Sequence, residues 1–149
     1  MQVAQEAVFV GIDVAKYDFV VNICGSDRTR TYANDSAGIA ALTGDLSRFA
    51  APVRIAMEPT GGCELALWIA LEDAGFHVRQ VCAAHIKAFR DSLGRRAKTD
   101  RIDAMAIAAY LKARPEAGRV LPARKLRRIK ALAAKRQQLA HARDRKSVV

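Results

Sequence analysis

VFVGIDVAKYDFVVNIC, residues 8–24, decides the fold. Its first six residues are apolar up to Asp13, and three of them are β-branched. That is the pattern of a central strand buried on both faces. Lys16 and Tyr17 form a short link. Residues 18–24 (DFVVNIC) then make a second strand, which the turn at Gly25-Ser26-Asp27 ends. Residues 28–33 give a third, more polar strand nearer the edge. Links this short join antiparallel neighbours, so the chain opens with a three-strand meander.

Outward from the meander, Asn34-Asp35-Ser36 offers helix N-cap chemistry, and a helix runs to about residue 50 before Pro52 stops it. Residues 53–58 (VRIAME) are a fourth strand and residues 59–62 (PTGG) a loop. A helix over 63–74 closes at Gly75, and a fifth strand covers 76–82. A short helix over 83–93 ends at Gly94. A basic loop follows, and Thr99 caps a helix to about residue 113. Pro115 and Gly118 mark a boundary. From Pro122 the chain reads as one long helix. Leu126, Ile129, Ala133, Arg136 and Ala140 alternate at spacings of three and four, with Leu132 and Leu139 beside them: a weak heptad-like seam. The class is α/β, a mixed five-stranded sheet flanked by helices. A fourth strand parallel to the first and beside it is the ribonuclease-H-like arrangement. Residues 1–115 form that domain, and residues 116–149 begin a basic, coiled-coil-like helical linker.

The chain has 149 residues, 51% of them hydrophobic, enough for a real core and against a wholly disordered protein. Cys24, Cys63 and Cys82 have no ligand-like spacing, so they read as reduced thiols rather than a disulfide framework or structural zinc site. No apolar run is long enough to span a bilayer, and no leader peptide is visible. The expectation is a cytoplasmic protein without a membrane partner. The net charge of +10 is unevenly spread. Residues 1–90 hold 8 Lys+Arg and 10 Asp+Glu; residues 91–149 hold 17 and 5. Such asymmetry points to a polyanionic partner, nucleic acid above all. The plainer reading is a solvated basic helix.

Four carboxylates fall at positions this fold would bring together. Asp13 ends the first strand and Glu58 the fourth. Neighbouring strands lie about 4.8 Å apart. Asp100 and Asp103 are one helical turn apart and share a face with Ile107 and Tyr110. Carboxylates in an otherwise apolar setting need a counter-charge. Oxygen ligands suit Mg²⁺ or Mn²⁺, and such ions support phosphoryl transfer. Each acid also has a structural reading: a strand-end cap for Asp13, a pair with Arg54 or Arg79 for Glu58, first-turn helix acids for Asp100 and Asp103. Lys16, Arg95, Arg96, Lys98 and Arg101 flank the acids and could grip neighbouring phosphates. Arg124, Lys125, Arg127 and Arg128 open the basic helix and extend the candidate nucleic-acid surface. Gly61-Gly62 before a helix is a weak phosphate-loop candidate. His77, His85 and His141 lack ligand spacing, and Trp68 reads as core.

Residues 11–16 (GIDVAK), 58–61 (EPTG) and 98–104 (KTDRIDA), in this order, resemble the DEDD transposases of bacterial insertion sequences. These are relatives of the pilin-gene invertase and include bridge-RNA-guided recombinases. The segment from Asn34 to Gly38-Ile39 also fits, and the likeness covers about residues 7–145. It implies a RuvC-like domain whose acids, Asp13, Glu58, Asp100 and Asp103, are catalytic and bind Mg²⁺. DNA is the implied substrate, with a structured guide RNA in the guided members, and the C-terminal helix is the implied route to a homo-oligomer. The family also has a second domain carrying a catalytic serine, for which Ser147 is no candidate. The expectation is that residues 1–149 do not recombine DNA by themselves. Three other readings stand beside this one. They are a stand-alone RuvC-like nuclease using water, an actin-like ATPase or sugar kinase, and a non-catalytic basic module that binds nucleic acid and dimerises. Against the kinase, Val14-Ala15-Lys16 follows Asp13 where a Gly/Ser/Thr-rich phosphate loop is needed.

Overall fold

The molecule is built around the first strand, which is buried on both faces through its centre. The structure is a computed structural model describing residues 4–94 and 100–146, the side chains of 100, 124 and 125 excepted. Among the described residues it is a mixed α/β chain with a six-stranded sheet and five helices. The meander is β1 (Val8–Val14), β2 (Asp18–Ile23) and β3 (Thr29–Ala33). There follow α1 (Ser36–Leu46), β4 (Val53–Met57), α2 (Leu65–Asp73), β5 (His77–Gln80), α3 (Ala83–Ser92), α4 (Asp100–Ala113), β6 (Arg119–Val120) and α5 (Arg124–Lys146).

The strand order is β3-β2-β1-β4-β5-β6. β4 lies parallel to β1 and β5 parallel to β4; the other pairs are antiparallel. The order through β5 is compatible with the expected ribonuclease-H-like sheet. The count of five strands needs correction to six. β6 is two exposed residues on the outer edge of β5, too short and too polar to leave any alternation in the sequence. Its hold on the sheet includes Arg119, whose Nε donates to Gln80 Oε1 at 2.6 Å.

Period-two alternation sends the two faces of β1 into different layers. Val10, Ile12 and Val14 join Ile55, Met57 and Val78 beneath Leu42 and Leu46 of α1 and Leu67, Trp68 and Leu71 of α2. Asp35 caps α1 by accepting from the Gly38 amide at 2.8 Å, as its sequence suggests. That helix ends at Leu46, short of the expected residue 50. The opposite layer is made of Ala56, Val81, Ile86, Ala106, Ile107, Tyr110 and Leu111. There α4 lies directly on β1, and Gly11 is the reason. A Cβ at position 11 would sit 2.3 Å from the Ala104 carbonyl oxygen and 2.4 Å from the Ala108 nitrogen.

α5 runs 23 residues, and apart from Arg127 every described side chain on it is exposed. Cys24, Cys63 and Cys82 are free thiols. Among the described residues no helix is long and apolar enough to cross a membrane.

Candidate metal and nucleic-acid site

Asp13 and Glu58 become neighbours through strand register. β1 and β4 pair in parallel up to Ile12 opposite Met57, and the two acids are the next positions on each chain. Gly11 and Asp13 share one face of β1. Ala56 belongs to the α4 layer, and Glu58, two residues on, continues that alternation. Both acids are half-buried.

The helix α4 brings the third acid to the same face. Asp103 immediately precedes Ala104, the residue whose carbonyl rests over Gly11. Its carboxylate is 7% exposed. Arg90 of α3 donates Nη1 to Asp103 Oδ1 at 2.6 Å, forming a buried ion pair. The Arg90 Nε is buried without a hydrogen-bond partner among the described residues. Asp100 opens α4 one turn earlier. Among the described residues, no group of three or more His, Cys, Asp or Glu side chains is arranged to hold a metal ion; the Asp100 side chain lies outside them. The donor chemistry itself, carboxylate oxygen throughout, fits a hard divalent cation. Arg90 engages one oxygen of Asp103 and leaves Oδ2 outside the pair.

Sequence reasoning missed a fifth carboxylate, Glu64, which is 6% exposed. Its Oε2 accepts from Thr60 N at 3.1 Å, Thr60 Oγ1 at 2.7 Å and Gly62 N at 3.1 Å. Its Oε1 accepts from Gln80 Nε2 at 3.0 Å. Burial works to raise the Glu64 pKa, but the bonds from Thr60 and Gly62 outweigh it and hold the group below the usual carboxylate range. The glycine turn therefore serves Glu64, and its Gly62 amide is already engaged. Asn34 was legible only as cap chemistry. Its side-chain amide donates to Ala15 O at 2.8 Å and to Cys63 O at 3.1 Å. It thus bridges Ala15, two residues past Asp13, to Cys63, five residues past Glu58. A readable signal for Glu64 existed: it sits three, four and seven residues before Leu67, Trp68 and Leu71, all buried on one stripe.

Four of the nine candidate basic side chains, Lys16, Arg101, Arg127 and Arg128, are among the described ones. Lys16 is exposed, its ammonium 5.3 Å from the Tyr17 ring centroid. Arg101 is exposed and donates to the Asp27 carbonyl. Arg128 is exposed on α5, and Arg127 is half-buried, its Nε without a hydrogen-bond partner among the described residues. Arg95, Arg96, Lys98 and the capping Thr99 lie outside the described residues, as do the side chains of Arg124 and Lys125. Arg54 and Arg79 both pair with Glu116. His77 accepts from Arg79 Nε at 3.3 Å, and His85 and His141 are exposed. Trp68 is core, 3% exposed.

No curated protein matches the chain. The family model of the DEDD transposases of the IS110 type, described as a transposase, matches residues 10–148. That span takes in β1 with Asp13, the β4 end with Glu58, both acids of α4 and the whole of α5. On a match of this extent, the chain belongs to the IS110-type DEDD transposase family.

Proposed function

We propose that this chain supplies the metal-binding catalytic domain of a DNA transposase, acting on phosphodiesters through Asp13, Glu58, Asp100 and Asp103. The observation that carries the reading is the parallel register of β1 and β4, which makes Asp13 and Glu58 neighbours on the face α4 covers. In this reading the sheet is ribonuclease-H-like of the RuvC type, with β6 appended, residues 1–115 are one domain, and residues 116–149 begin a coiled-coil linker. Bound Mg²⁺ or Mn²⁺ would polarise the scissile phosphate and stabilise the leaving oxygen. The protein's own part is to aim the carboxylates. β1 and β4 fix two of them, and α4, held against Gly11, carries the others. Arg90 balances the charge of Asp103 inside the fold.

The basic helix supplies the grip on nucleic acid. α5 holds ten Lys+Arg against one acid, Asp144. DNA is the substrate the family implies, and a structured RNA would be held by the same charges. Leu126, Ile129, Leu132 and Leu139 are exposed at 45–67% along α5, a stripe that fits a second copy of the helix.

Calorimetric titration with Mn²⁺ tests the metal site. Wild type binds, and Asp13→Ala and Glu58→Ala each weaken binding at least about tenfold; equal binding by all three overturns the assignment. For duplex DNA, log K against log salt falls by about 0.9 for each phosphate contacted. Affinity that does not change with salt overturns the role of α5.

A further inference from the structure

The loop that follows Glu58 is held by two side chains, one tying its far end to the chain that leaves β1 and the other tying its turn to β5. Asn34 uses both N–H groups of its amide, one on Ala15 O at 2.8 Å and one on Cys63 O at 3.1 Å. Its own backbone N–H is fixed to Tyr17 O at 2.8 Å. Glu64 gathers Thr60 and Gly62 onto one carboxylate oxygen and Gln80 onto the other. Between those anchors, Gly61 and Gly62 have φ of 71° and 104°. Two such residues give the loop little conformational preference of its own, so its path is set by the groups that hold it.

We infer that Asn34 and Glu64 are positioning residues, a two-part polar clamp that holds the loop leaving Glu58 in place beside the chain leaving Asp13. This rests on the reading of those two acids as metal ligands. Asn34 sets the distance across the gap, because only a side chain with two donors satisfies both carbonyls. Glu64 sets the course of residues 60–62, two residues beyond Glu58. Each role is specific to the chemistry of the group. An aspartate at position 34 would turn acceptors toward two carbonyl oxygens. A glutamine at position 64 would bring an amide with two donors to a site lined by donors.

The experiment combines Mn²⁺ titration with hydrogen–deuterium exchange on Asn34→Asp, Glu64→Gln and a control, Asp45→Asn. Asp45 bonds Tyr32 and Arg30, away from the clamp. Both clamp variants should speed amide exchange in residues 58–64 more than elsewhere and weaken Mn²⁺ about tenfold or more. The control should change neither readout, which separates positioning from general loss of stability. Wild-type Mn²⁺ affinity in both clamp variants overturns the clamp alone, and so does unaltered exchange in residues 58–64. Wild type that binds no Mn²⁺ overturns the metal reading and the positioning role with it. Should Asn34→Asp fail to fold, Glu64→Gln decides by the same two readouts.

Discussion

Gly11→Ala adds one methyl group where there is no room for it. The new carbon would lie 2.3 Å from the Ala104 carbonyl oxygen and 2.4 Å from the Ala108 nitrogen, both backbone atoms of α4. Backbone cannot rotate aside as a side chain does. Reaching ordinary contact requires α4 to retreat by about 1 Å, in a layer packed to crystal-like density. Overpacking of this kind costs about 1–3 kcal/mol. With a urea slope of about 2 kcal/mol/M, the unfolding midpoint should fall by about 0.5–1.5 M. If the proposed metal site holds, the same retreat displaces Asp103 from it, and Mn²⁺ affinity should fall alongside stability. The paired control is Gly44→Ala. Gly44 is inside α1, and a methyl there meets nothing within 4 Å, so helix propensity alone should stabilise by up to about 1 kcal/mol. Opposite signs are expected from the same substitution at two sites. A Gly11→Ala protein with unchanged midpoint and unchanged Mn²⁺ affinity would refute the claim that backbone contact seats α4.

Arg90→Met leaves Asp103 buried without its partner, and losing one member of a buried pair costs about 3–5 kcal/mol. Urea unfolding of Arg90→Met, Asp103→Asn and the double variant should show the double less destabilised than the sum of the singles; strict additivity would mean the pair is not coupled. Burial first, then the hydrogen bond to Asp45, push the Tyr32 phenol up to about 12 from 10.0. Its native state therefore holds the proton more tightly, contributing stability that is whole below pH 10 and is lost as pH rises from there through about 12. Phenolate absorbance should show Tyr32 titrating late, and moving earlier in Asp45→Asn. A Tyr32 that titrates at the ordinary 10.0 would contradict this.

The parts of the molecule visible in the sequence are those whose signal is local. β1 and β4 announce themselves as apolar runs ending in acids, and short links force the β1–β2–β3 meander. α1 starts where Asp35 can cap it, although the helix stops at Leu46. Asp13 and Glu58 could be placed together because strand order and register follow from those runs. β6 could not be found, because two exposed residues on an edge have no periodicity. Arg90 and Glu64 were hidden for a different reason. A charged residue reads as surface unless its partner is known, and Asp103 is thirteen positions from Arg90, while Gln80 is sixteen from Glu64. Position on an apolar stripe was the available clue, for Arg90 beside Ile86 as for Glu64 before Leu67.

Where β1 and α4 come closest, the contact is built almost without side chains: Gly11 opposite Ala104 and Ala108, with Ala56 alongside. On the other face of the sheet, Val, Ile, Leu and Met can exchange volume with one another, a loss at one position being offset at the next. No such trade exists where residues are already at minimum size. In a library of random variants, the α1–α2 face should accept many combinations of hydrophobic residues. The contact around Gly11 should accept few, and its intolerance would come from steric room rather than chemistry. Depletion around Gly11, Ala56, Ala104 and Ala108 would mark a footprint of helix-to-strand proximity, readable even in a selection that never measures metal or DNA.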